Sequence, residues 1–98
     1  MKLYVIRRRS GWATPGSLQV AAGRSKQVGD EEMPSDIRWI RSYVVEEEDG
    51  SLGTVCIFQA SSKEKVLEHA GRADMPATEV NPVLDTVFVR PDPIQIAA

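Results

Sequence analysis

One histidine and one cysteine stand in this chain of 98 residues, and they bound the chemistry its side chains can offer. His69 lies in the run Glu68-His69-Ala70. A neutral imidazole is a good ligand for nickel, zinc or copper and carries protons near neutral pH. Glu68, with Glu64 one turn before it on the same helix face, offers oxygen ligands. One histidine cannot fill a coordination sphere, so a divalent metal here would also need carboxylates, water or a second subunit. The competing reading is a partly buried histidine held by a structural hydrogen bond.

Cys56 sits in an apolar run, where a free cysteine usually acts as a small hydrophobe. A role as ligand or nucleophile requires a thiolate held by a nearby cation, and Arg41 is the candidate if both face one side. Arg41 and Tyr43 share an alternating row with Trp39 and Val45. On that row the first three would form the polar anchors and aromatic wall of a pocket for a small carboxylate or aromatic molecule, with Cys56 nearby and Arg7 or Asp85 as neighbouring charges. Such charges either pair with one another or meet a ligand.

The elements that must position these residues follow from periodicity. Lys2 to Arg8 reads as a first strand, and Thr14-Pro15 is a helix start followed by Leu18, Ala21, Ala22, Ser25 and Val28, a narrow stripe of mostly small residues. A second strand spans about Ile37 to Glu46. Asp49-Gly50 reverses the chain into a third, about Leu52 to Gln59. Ser61 with Glu64 has the form of a capping box for a second helix that buries Val66, Leu67, Ala70 and Ala73. A last strand is expected over about Val80 to Val89, stopped by Pro91 and Pro93. The order is β-α-β-β-α-β, a ferredoxin-like α+β fold in which a four-stranded antiparallel sheet carries both helices on one face. The expected domain is residues 1–93, followed by a tail over 94–98.

Several strands place large apolar residues on both rows, yet two helices cover only one side. The economical cover for the other is a second copy, which closes two sheets into a homodimeric α+β barrel. A net charge of -2 argues against nucleic acid as partner. Arg7-Arg8-Arg9 is read as the exposed end of a strand with alternate members on opposite faces, with a role in holding an anionic ligand as the alternative. The four apolar residues before it are too few for a signal peptide or a membrane span. A lone cysteine forms no internal disulfide, which fits a cytoplasmic protein.

Three stretches in order carry a family likeness: Trp39-Ile40-Arg41-Ser42-Tyr43, Val55-Cys56-Ile57-Phe58, and Glu68-His69-Ala70 running to Met75-Pro76. They resemble the small bacterial ferredoxin-like domains of unassigned function whose members are often labelled nickel-binding protein. The resemblance implies the same fold, dimeric association and nickel as the candidate metal, with His69 and Glu68 as its candidate ligands. Walker, CxxC, HExxH and nucleophile-elbow motifs are absent from the sequence, so a non-enzymatic binding protein is expected. The alternatives are an enzyme or small-molecule binder using Arg41, Tyr43 and Cys56 inside the barrel, and a structural domain without a ligand.

Overall fold

The computed structural model describes residues 1–94. Its elements are β1 (Lys2–Trp12), α1 (Pro15–Gln27) with a π-helical turn over Val28–Glu32, β2 (Ile37–Glu46), β3 (Leu52–Ala60), α2 (Lys63–Arg72) and β4 (Glu79–Pro82). The four strands form one antiparallel sheet in the order β2-β3-β1-β4, with both helices on one face, which is the expected ferredoxin-like arrangement. Tyr4 and Ile6 of β1 and Cys56, Phe58 and Ala60 of β3 point to the helix side and build the core with Val28, Ile37 and Val66. No helix among the described residues is long and apolar enough to cross a membrane.

Local chemistry explains the joints. Thr14 accepts from the Ser17 backbone N–H at 3.1 Å and caps α1, and Pro15 at its first position forfeits no bond. The β2–β3 reversal turns on Gly50, whose φ of +85° is open to glycine at little cost. Gly53 is fixed by crowding: a Cβ there would lie 2.7 Å from the Arg8 carbonyl oxygen and 2.6 Å from Glu47 Oε2.

Four expectations are corrected. The cap of α2 is Ser62, which accepts from Lys65 N–H at 3.2 Å; Ser61 instead donates to Asp36 Oδ1 at 2.7 Å. Leu67 is exposed, and His69 takes its place on the buried stripe with Val66 and Ala70. The last strand ends at Pro82 rather than Val89: β4 pairs antiparallel with β1 from Glu79 opposite Arg7 to Pro82 opposite Tyr4, Pro82 has no N–H to extend the ladder, and Val83 N–H makes a last bond to Leu3 O at 2.8 Å. The segment then returns toward β2, where Asp92 meets Arg41 and Tyr43. Beyond Ile94, the tail expected over 94–98 lies outside the described residues.

The fourth correction concerns β2. Trp39 pairs with Phe58 and Arg41 with Ile57, so two steps on β2 match one on β3 and Ile40 is a β-bulge. A one-residue bulge reverses the faces of everything after it. Trp39 faces the helices and stacks on Phe58, ring centroids 5.9 Å apart, while Arg41 and Tyr43 stand on the open face.

Candidate functional site

The expected pocket group is therefore divided by the sheet. Trp39 and Cys56 lie on the helix side; Arg41 borders the same cavity but turns its guanidinium to the open face, where Tyr43 stands. On the open face Tyr43 donates to Asp92 Oδ2 at 2.6 Å, and Arg41 Nη1 donates to the same oxygen at 3.1 Å. The Tyr43 oxygen, at 3.4 Å, and Asp92 hold the Arg41 pKa above its ordinary value. These polar anchors are satisfied by one another. Cys56 donates to Thr54 Oγ1 at 3.3 Å and is buried, with Arg41 across the sheet from it, so the proposed thiolate–guanidinium partnership does not form.

The metal candidates are separated as well. His69 is fully buried and its Nε2 lies 3.0 Å from Ser25 O; the carbonyl assigns the proton to Nε2. Nδ1 is left as a buried acceptor without a partner, 5.1 Å separating the ring centroid from that of Phe58. Burial pushes the His69 pKa down, the Ser25 carbonyl opposes that, and the nearby Arg8 charge adds to the depression. Glu68 lies at the surface, paired with Arg72 at 2.8 Å and Lys65 at 3.3 Å. Among the described residues no group of three or more histidine, cysteine, aspartate or glutamate side chains could hold a metal ion. His69 and Glu68 do not fit nickel within one chain; the histidine is a fixed member of the core.

The site that does take shape lies between α1 and the sheet. A cavity of about 410 Å³ opens there, walled by Leu18, Ala22, Trp39 and Phe58 and carrying polar groups from Arg8, Ser25, Ser42, Thr54 and Cys56. It exists because the inward residues of α1 are small and leave the sheet uncovered. Trp39 Nε1 donates to Ser42 Oγ at 2.8 Å and fixes the rim.

The burial of Arg8 is what the sequence does not announce. The alternation of the arginine run holds, but only Arg9 is exposed: Arg7 turns to the open side and pairs with Glu47 at 2.6 Å, while Arg8 turns inward and is fully buried. Its placement follows from Tyr4 and Ile6, which stand four and two residues before it on the same strand row.

A family model described as "Nickel responsive protein SCO4226-like" matches residues 4–83. The crystal structure of SCO4226 from Streptomyces coelicolor A3(2) aligns with a TM-score of 0.67 at 19% identity, covering 87% of this chain and 99% of that one, a likeness of fold. No curated protein matches.

Proposed function

Because this chain belongs to the nickel responsive SCO4226-like family, we propose that it is a non-catalytic, metal-responsive binding protein that acts as a homodimer. The observation that carries the dimer is the open face of the sheet. The segment after β4 crosses back over it and presents Leu84, Val87, Phe88 and Val89, which are 100%, 89%, 73% and 72% exposed. Apolar side chains so close together on a small protein favour a partner, and the partner that always matches in concentration is a second copy. Nickel enters this reading from the family description, and the metal belongs to the assembly, since one chain's described residues make no donor set for it. A cytoplasmic setting fits the buried free Cys56, which asks nothing of an oxidising compartment.

Light scattering on the wild type and on the double variant Val87→Asp, Phe88→Asp tests the assembly. A dimer that becomes a folded monomer is expected; a wild-type monomer at micromolar concentration would overturn the reading. Calorimetric titration with nickel tests the metal. Binding by the dimer and not by the monomeric variant is expected, and it should survive His69→Gln. Binding lost in His69→Gln with the fold intact would return the metal to His69.

A further inference from the structure

Arg8 is fully buried, and the one hydrogen bond of its guanidinium is Nη1 donating to Pro76 O at 2.6 Å. Among the described residues Nε and Nη2 have no hydrogen-bond partner and no carboxylate pairs with the group, whose Cζ stands 6.0 Å from the Phe58 ring centroid. An arginine stays protonated in any such setting, so burial leaves a full positive charge in a poorly solvated place. The two unpartnered nitrogens lie along one edge of the planar group, the edge whose parallel N–H bonds match the two oxygens of a carboxylate. Arg8 also lines the cavity under α1, where no acidic side chain contributes to the walls.

We propose that this cavity is a binding site for a small monocarboxylate with an apolar body, gripped by the Nε–Nη2 edge of Arg8. The walls choose the class. Arg41 borders the cavity too, but its guanidinium is held by Asp92 and Tyr43 on the open face, so Arg8 supplies the one uncompensated positive charge, and a phosphate dianion would bring a second negative charge with nothing to meet it. Trp39, Phe58 and Leu18 suit a single ring or a branched chain, and about 410 Å³ falls in the range of small-molecule pockets. Thr54 and Ser42 stand near as hydroxyl partners. The site stands apart from the nickel reading, and neither needs the other.

Calorimetry with benzoate and phenylacetate, and with benzamide as the neutral analogue of the first, is the test. One benzoate per chain is expected, with benzamide bound about 10- to 100-fold more weakly, the loss typical of a charge-assisted hydrogen-bond pair. Arg8→Met should lose the same factor for benzoate and none for benzamide. Arg8→Lys should not restore it, because an ammonium lacks the planar fork. Ala22→Leu, which narrows the cavity while leaving Arg8 in place, should weaken both ligands. No carboxylate binding at millimolar concentration, equal binding of benzamide and benzoate, or undiminished binding in Arg8→Met would each overturn the site. If Arg8→Met does not fold, benzoate binding undiminished in Ala22→Leu would overturn it as well.

Discussion

The two helices rest on the same face of the same sheet and leave opposite ground beneath them. Under α2, Val66 and His69 are fully buried and Phe58 lies against the imidazole, so the layer is closed. Under α1 the inward positions beyond Leu18 are the small Ala21, Ala22 and Ser25, and the sheet below keeps a cavity with a buried cation on its wall. The difference is side-chain volume at helical spacing. A stripe of small residues can hold a helix in place without filling the space under it, and what that stripe leaves open is where a ligand can enter.

The sharpest way to break this contrast is to alter volume on each side. Val66→Ala removes two methyl groups from the closed layer under α2 and should cost about 2–3 kcal/mol in urea denaturation. Ala22→Leu adds volume where space already exists and should change stability by less than about 1.5 kcal/mol in either direction. If Ala22→Leu costs as much as Val66→Ala, the ground under α1 is packed and the contrast fails.

Titration sharpens it next, since His69 lies under α2. Its folded pKa is depressed, so the folded state favours the neutral ring. That contribution is fully present above the unfolded pKa of about 6.5 and is lost as pH falls below it, at up to about 1.4 kcal/mol per pH unit until the lower folded pKa is reached. Urea midpoints for the wild type should therefore fall between pH 7 and pH 5 more steeply than those of His69→Gln, which keeps an N–H for Ser25 O and does not titrate. Parallel profiles would remove the histidine from the acid response.

Element order and both helices were legible in the sequence because their signals are local: periodicity, Thr14-Pro15, Asp49-Gly50. What escaped depends on partners. The bulge at Ile40 leaves no trace in the alternation of β2, yet it sends Trp39 and Arg41 to opposite faces and divides the expected pocket. Val83 to Val89 alternates like a strand, but the ladder with β1 ends at Pro82 opposite Tyr4, and the segment turns back toward β2 instead. The sequence leaves His69 open as a ligand or a structural residue, and only the fold shows it buried beside Phe58 and apart from Glu68 at the surface. Arg8 reads as a surface residue by type, and only its row with Tyr4 and Ile6 argued otherwise. The small stripe of α1 was visible, while the cavity it implies needed the sheet beneath it.

The smallest expected effect separates the helices by their caps. Ser62→Ala removes the hydroxyl that accepts from Lys65 N–H, and because α2 is continuous with the core the loss of about 1 kcal/mol should appear in full in the global unfolding midpoint. Thr14→Ala removes the equivalent acceptor from α1, whose inward side chains are small. A helix over a cavity can open by itself, and the global cost of losing its cap cannot exceed the free energy of that local opening. Thr14→Ala should therefore shift the midpoint less than Ser62→Ala while speeding amide exchange within α1 by up to about fivefold, the factor that 1 kcal/mol sets. In the wild type the amides of α1 should already exchange faster than those of α2. Equal protection in the two helices, with equal midpoint shifts from the two substitutions, would mean that α1 is bound into the core as firmly as α2 despite the space beneath it.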